Sequence, residues 1–149
     1  MLIDALKSLR GEKRVGVRFA DGKGGLRRLS YSELIDLGCS FANGLFRKGV
    51  HTGEPVVLVM TNPESAVVTI LGCMIAGCPP TPIYPPQNAG AVPAFLKFVK
   101  HVADRSKATL IVAAAQPYAF LGNVPHEADT LRGVHKFEAI LHGDRKSVV

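Results

Sequence analysis

The stretch from Met74 to Pro86 reads MIAGCPPTPIYPP, and it decides which class of fold the chain adopts. An apolar helix runs into Gly77, a residue that can end a helix in the left-handed conformation. A short strand follows and stops at Tyr84-Pro85-Pro86, because proline lacks the N–H that further strand pairing requires. The stretch therefore predicts a helix that is followed directly by a short strand, an arrangement found in many α/β proteins.

A β-hairpin and a capped helix are predicted upstream of this stretch. Residues 15–30 alternate apolar and polar side chains around the turn at residues 21–25. This Gly-rich turn lacks the Gly-x-x-x-x-Gly-Lys-Ser/Thr pattern of a phosphate loop, and a strand is expected to follow it. Ser30 and Glu33 have the spacing of a capping box. The helix that they begin has apolar residues three and four positions apart, with two more that broaden the stripe: Leu34, Leu37, Phe41 and Leu45, and Ile35 and Phe46.

Two continuous apolar runs, residues 55–60 and 109–113, predict strands that are buried on both faces. Asn62 as the cap and Pro63 at the first position begin a second helix between them. We expect that helix to bury Val67, Ile70, Leu71 and Met74. A third helix, over residues 93–104, is expected to bury Phe95, Phe98, Val99 and Val102. The order predicts an α/β fold: an N-terminal β-hairpin, then alternating helices and strands that form a mostly parallel sheet covered by helices.

The chain of 149 residues is expected to form a single domain spanning residues 1–149. The periodicity weakens beyond Gln116. Residues 117–121 and 127–131 can each begin a helix, and residues 136–141 fit either a helix or a strand. No linker or internal repeat divides the sequence.

The net charge of +6 is concentrated in the first third of the chain. Residues 1–50 hold ten Lys/Arg and five Asp/Glu, mostly as scattered pairs without interleaved aromatics. This pattern favours a solvated face, or a surface that meets another part of a larger protein, over a nucleic-acid site. No apolar run is long enough to span a bilayer, and the N-terminus lacks the three regions of a signal peptide. We therefore expect a cytoplasmic protein.

The cysteines and histidines do not indicate a metal site. Cys39, Cys73 and Cys78 form no Cys-x-x-Cys pair, which favours small buried hydrophobes in a reducing compartment and leaves a reactive thiol as the alternative. The five histidines lack ligand spacing: they are His51, His101, His126, His135 and His142. We assign no catalytic, cofactor-binding or metal-binding residue from the sequence, and no substrate-binding residue is identified.

Two segments resemble the first two core motifs of the adenylate-forming enzymes, the family of acyl-CoA synthetases, fatty acyl-AMP ligases and peptide-synthetase adenylation domains. Leu29 to Leu34 (LSYSEL) resembles the first motif. Leu71 to Gly77 (LGCMIAG), followed by Pro82 to Pro86 (PIYPP), resembles the second. The double proline is most similar to the fatty acyl-AMP ligase branch. The resemblance covers about residues 15–115. It implies that both motifs are mainly scaffold. The alternative is that Tyr84-Pro85-Pro86 forms a wall near the path of the acyl chain.

The resemblance implies a parent enzyme that joins a fatty acid to ATP with Mg²⁺, and then passes the acyl group to an acyl carrier protein or to coenzyme A. Adenylation needs a Ser/Thr/Gly-rich loop with Lys to hold the triphosphate, and residues 1–149 contain no such loop. The chain is therefore expected to be an N-terminal subdomain that is inactive alone, with the remainder of the parent enzyme as its partner.

Two other functions stay open. The first is a stand-alone module that binds an acyl chain or a partner protein without catalysis, docking through the basic first third. The second is a flavodoxin-like enzyme with its own phosphate site. No predicted strand is followed by a Gly/Ser/Thr-rich loop suited to a phosphate, so the second has the weaker basis.

Overall fold

The structure, a computed structural model, describes residues 2–122 and 130–143 and has alternating helices and strands after an N-terminal hairpin. Its elements in chain order are α1 (Leu2–Leu9), β1 (Gly16–Ala20), β2 (Leu26–Ser30), α2 (Tyr31–Arg47), β3 (Val56–Val59), α3 (Pro63–Ala76), β4 (Pro80–Pro82), a 3₁₀ turn (Ala89–Ala91), α4 (Val92–Ser106), β5 (Leu110–Ala113), α5 (Ala115–Leu121), β6 (Val134–Lys136) and α6 (Phe137–His142).

The main sheet has four parallel strands in the order β4-β3-β5-β6. Strands β1 and β2 form a separate antiparallel pair in which Phe19 lies opposite Arg27. The α/β fold, the hairpin and the parallel sheet predicted from the sequence are confirmed. All four residues of β3, and all four of β5, are buried, as the continuous apolar runs predict.

The sheet separates two apolar cores, because neighbouring residues of a strand face opposite sides. Val56 and Leu58 point toward the core that contains α2, α3, α6 and the hairpin. Val57 and Val59 point toward the core beneath α4 and α5. Helices therefore cover both faces of the sheet, which is the usual environment of an all-parallel sheet.

The predicted starts of α2 and α3 and the predicted end of α3 are confirmed. Glu33 N–H donates to Ser30 Oγ at 3.1 Å, and the Glu33 carboxylate accepts from Ser30 N–H at 2.8 Å, which completes the capping box. Asn62 Oδ1 accepts from Ser65 N–H at 2.8 Å at the start of α3. Gly77 ends α3 with φ +70°, in the left-handed region that glycine adopts without strain.

Glycines allow α2, α3 and α6, which pack in the same core, to approach one another closely. A Cβ at Gly44 would lie 1.9 Å from the carbonyl oxygen of Ile140 in α6. A Cβ at Gly72 would lie 2.6 Å from the ring of Phe41, and one at Gly38 would lie 3.0 Å from Ile75. Close packing against α6 therefore accounts for glycine at position 44, inside α2.

The predicted buried face of α3 is wrong. Val67 and Met74 are exposed, and Ile70 and Leu71 are only half-buried. The residues that α3 buries are mostly small: Ser65, Val68, Thr69, Gly72, Cys73 and Ala76. Gly72 lets the backbone of α3 approach Phe41 of α2. Leu71 and Ile75 border α2 at Gly38, whereas Val67 and Met74 lie on the exposed side.

Two other apolar side chains also differ from expectation. Phe98 is 53% exposed although its spacing places it with Phe95, and Phe46 is 47% exposed at the end of α2. Tyr84 is 88% exposed and lies beyond β4, which ends at Pro82. Apolar spacing alone does not distinguish the centre of a buried stripe from its solvent-facing border.

The described residues from 115 to 122 and from 130 to 143 contain three short elements, α5, β6 and α6. The helix predicted at residues 117–121 is part of α5, and residues 136–141 divide between the end of β6 and most of α6. Of the helix predicted at residues 127–131, residues 127–129 lie outside the described residues. His126 lies outside them as well.

Candidate functional site

An apolar groove of about 400 Å³ lies at the carboxyl ends of β3 and β4, beside the first half of α3. Parallel α/β sheets commonly bind ligands at this end of their strands. The groove is lined by Leu58, Met60, Thr61, Asn62, Pro63, Ala66, Thr69, Ile70, Pro82, Ile83 and Tyr84. None of these side chains carries a charge, so the groove suits an aliphatic or aromatic group better than an ion.

The N-terminus of α3 borders the groove but is poorly suited to hold a phosphate. Pro63 has no N–H, and the N–H of Ser65 is donated to Asn62 Oδ1. Ala66 N–H is donated to the Asn62 carbonyl at 3.1 Å. The Glu64 carboxylate lies in the same turn and would repel an anion. The polar groups here serve to begin the helix.

The Gly-rich turn at residues 21–25 is a hairpin turn, as predicted. Asp21 Oδ1 accepts from the N–H groups of Lys23 and Gly25 at 2.8 and 2.9 Å. Asp21 N–H in turn donates to the Gly25 carbonyl at 3.1 Å. A phosphate loop needs such N–H groups free to face the ligand, whereas this turn uses them internally.

The environments of two thiols disfavour nucleophilic chemistry. Burial, with a smaller contribution from nearby Cys78, raises the pKa of Cys73 to about 12. Burial and then the charge of Glu54 raise the pKa of Cys78. The thiolate is the reactive form, so both groups behave as small hydrophobes, as expected from the sequence. Cys39 is half-buried on α2.

Several basic side chains of the first third have structural partners. Arg28 donates to the carbonyl oxygens of Lys13 and Arg14 at 3.3 and 2.6 Å, which joins β2 to the segment before β1. Arg27 forms an ion pair with Glu64 at 3.2 Å, between the hairpin and α3. These contacts fit the interpretation of the basic pairs as a solvated face.

Residues 2–122 and 130–143 contain no group of three His, Cys, Asp or Glu side chains positioned to hold a metal ion. Within the same residues, no helix is long and apolar enough to cross a membrane.

Of the two segments that resemble family motifs, only the second contributes residues to the groove. Tyr84 and its neighbour Ile83 line the apolar groove, whereas Ser30 and Glu33 hold the start of α2. The sequence reasoning missed Met60 and Ile70 as groove residues. The rule that ligands bind at the carboxyl ends of parallel strands would have pointed to Met60, which directly follows β3.

Residues 9–147 match the model of the AMP-binding enzyme family, and the chain belongs to that family. It corresponds to the N-terminal subdomain of these adenylate-forming enzymes, as the resemblance of its two motifs implies. The chain is 30% identical over 131 residues to an acetyl-coenzyme A synthetase of Chromobacterium violaceum, an alignment that covers 87% of this chain and 19% of that protein. It is 39% identical over 57 residues to the human protein named acetyl-coenzyme A synthetase 2-like, mitochondrial, covering 38% of this chain and 8% of that one.

Solved structures show the same fold. A chain from structural studies of fatty acyl-adenylate ligases of E. coli and L. pneumophila superposes with a TM-score of 0.83 at 19% identity, covering 96% of this chain and 26% of that one. An acyl-CoA synthetase of Brucella canis superposes with a TM-score of 0.76 at 21% identity, and the superposition covers 94% of this chain and 26% of that one. The chain thus spans about a fifth of the length of the first curated relative and about a quarter of these solved chains.

Proposed function

We propose that the chain is the N-terminal part of an enzyme that activates a fatty acid with ATP. The enzyme forms an acyl-adenylate, releases pyrophosphate, and passes the acyl group to an acyl carrier protein or to coenzyme A. The family match over residues 9–147 is the observation that carries this proposal. The uncharged groove at the carboxyl ends of β3 and β4 supports an aliphatic substrate.

ATP and Mg²⁺ are proposed to bind to other parts of that enzyme. The sequence has no Ser/Thr/Gly-rich loop ending in Lys, and the hairpin turn and the start of α3 use their N–H groups internally. The chain by itself is therefore proposed to be inactive and to supply scaffold and one apolar wall. The cytoplasm is the proposed location of the enzyme.

A second candidate is the activation of acetate. The 30% identity to an acetyl-coenzyme A synthetase favours it, because the solved fatty acyl-adenylate ligase is only 19% identical. The groove supports the longer acid, because its apolar space of about 400 Å³ is much larger than a two-carbon acid would fill.

The decisive experiment is ATP–pyrophosphate exchange with the whole gene product that contains this chain. Acetate, octanoate and palmitate are compared at equal concentration, and the 149-residue chain alone is the control. We expect exchange with the longer acids and none with the chain alone. Exchange with acetate only would support the second candidate, and turnover by the chain alone would refute the assignment as a part of a larger enzyme.

A non-catalytic acyl-binding module is tested on the chain itself. Titration with labelled octanoate should then shift the amide signals of groove residues such as Met60 and Ile83 in NMR spectra. A whole gene product that shows this binding but no pyrophosphate exchange with any acid would favour the module over the enzyme.

A further inference from the structure

The exposed apolar side chains are concentrated on one side of the molecule, along β4 and the outer face of α3. We call this surface the β4 flank. Nine large apolar side chains are exposed in the described residues, and five of them lie here: Leu2, Ile3, Val67, Met74 and Tyr84. We propose that the β4 flank is an interface, covered by an apolar helix or loop from another part of a longer polypeptide that contains this chain.

The composition of α3 indicates that both of its sides are covered. Residues 65–76 contain no charged side chain, whereas a helix at a protein surface normally has a polar outer face. Val67 and Met74 are 37% and 42% exposed and lie seven residues apart, on the same side of the helix. A helix that is apolar all round is typical of a buried helix, so its outer face indicates a missing apolar partner.

The edge of β4 excludes one kind of partner, a further β-strand. Val56 N–H donates to the Pro79 carbonyl at 3.0 Å, and Ile83 N–H donates to the Leu58 carbonyl at 2.8 Å. Because successive residues of a strand alternate in direction, Pro80 and Pro82 direct their backbone away from β3. Proline has no N–H, so the outer edge offers acceptors without donors, and a partner must bind through side chains.

A depression beside Pro80 gives this surface the relief that such packing needs. It measures about 670 Å³ and lies between Leu2, Ile3 and Met74, at the end of β4 away from the groove. Side chains from a helix or loop that runs along β4 can enter it, while the groove at the carboxyl end stays open to the proposed acyl chain.

The length of the relatives favours the remainder of a longer polypeptide as the occupant, and this step rests on the proposed function. The chain spans 19% of an acetyl-coenzyme A synthetase and 26% of a fatty acyl-adenylate ligase chain, so most of such an enzyme is available to cover the flank. A second copy of this chain is the competing occupant, and the experiment separates the two.

The accessibility of Met74 tests the proposal. Hydrogen peroxide transfers one oxygen atom to the methionine thioether, which gives the sulfoxide and water. The rate is measured by peptide mass spectrometry in the whole gene product and compared with that of N-acetylmethionine amide. We expect Met74 to react at least tenfold more slowly than the free amide, as slowly as Met60, which is 9% exposed. In the 149-residue chain alone, Met74 should react within about threefold of the free amide.

Each other outcome overturns the proposal. Oxidation of Met74 in the whole gene product at the rate of the free amide would show that the flank is open. Slowing of Met74 oxidation as the concentration of the isolated chain rises would assign the flank to a second copy. A gene product that ends at Val149 would leave no segment to cover it.

A pair of matched variants adds a second readout. Met74→Lys and Phe98→Lys each place a charge at a half-exposed apolar position, of which only Met74 lies on the β4 flank. In the whole gene product, Met74→Lys should lower the thermal midpoint and Phe98→Lys should not. ATP–pyrophosphate exchange, measured on the same samples, separates the two proposals. If the samples show exchange but Met74 is oxidised freely, only the interface is refuted. If Met74 is protected but the samples show no exchange, only the enzymatic function is refuted.

Discussion

Substitution of Gly44 by alanine should destabilise the protein strongly, although alanine is the better helix former. The added Cβ would lie 1.9 Å from the carbonyl oxygen of Ile140 and 2.7 Å from its carbon. Reaching a separation of 3.0 Å requires α6 to move by about 1.1 Å. The obstacle is backbone, so no rotamer change can relieve it.

The magnitude follows from two opposing contributions. Overpacking of a core costs about 1–3 kcal/mol, and moving α6 also withdraws the fully buried Ile140 and the ring of Phe137, which stacks on Phe41 at 6.1 Å. Replacing a helical glycine by alanine contributes about 1 kcal/mol in the other direction. We expect a net loss of about 2–3 kcal/mol, which lowers the midpoint of thermal unfolding by roughly 4–12 °C.

Gly38→Ala is the matched control, since Gly38 lies in the same helix. Its Cβ would lie 3.0 Å from Ile75 Cδ1 and 3.1 Å from Leu71 Cγ, which are side-chain atoms that can shift. The propensity gain should offset the crowding, so this variant should stay within about 1 kcal/mol of the parent protein. Urea unfolding followed by circular dichroism gives both free energies. A Gly44→Ala protein as stable as the Gly38→Ala protein would refute the contact between α2 and α6.

Two further predictions concern titrating groups. Hydrogen bonds from Ser30 hold the pKa of Glu33 below its ordinary value of 4.5, so its carboxylate contributes stability that is present above pH 4.5 and lost as the pH falls through the folded-state pKa. Glu33→Gln should therefore flatten the dependence of the unfolding free energy on pH below 4.5, and an unchanged slope would contradict the capping box. Cys73, whose pKa is raised to about 12, should resist iodoacetamide at pH 8 in the folded chain and react in urea, as mass spectrometry of the alkylated peptides can show. Rapid labelling of Cys73 without denaturant would contradict its burial.

Local signals in the sequence predicted most of the fold. The capping box, the cap at Asn62 and the left-handed Gly77 each depend on residues within one or two turns of the chain. The continuous apolar runs of β3 and β5 report burial on both faces, which only a covered parallel sheet provides. The resemblance of two short motifs then indicated the family, which the match over residues 9–147 shows.

The candidate groove was less accessible to such reasoning. Met60, Ile70 and Tyr84 come from three separate segments and share a wall only because β3 and β4 are adjacent in the sheet. Nothing in the local sequence of Met60 or Ile70 distinguishes these two from ordinary core residues, whereas the prolines after Tyr84 had already singled out that residue.

Local sequence signals were enough to place the starts of α2 and α3 and the buried strands β3 and β5, because caps, turns and buried runs act over a few residues. Which side of α3 is buried depends on contacts between distant parts of the chain. With no charged residue at positions 65–76, the helix has no polar face to orient it, and the close approach of Gly72 to Phe41 of α2 fixes its rotation. That choice leaves Val67 and Met74 on the surface beside a proline-lined strand edge, and so creates the face on which the proposed interface depends.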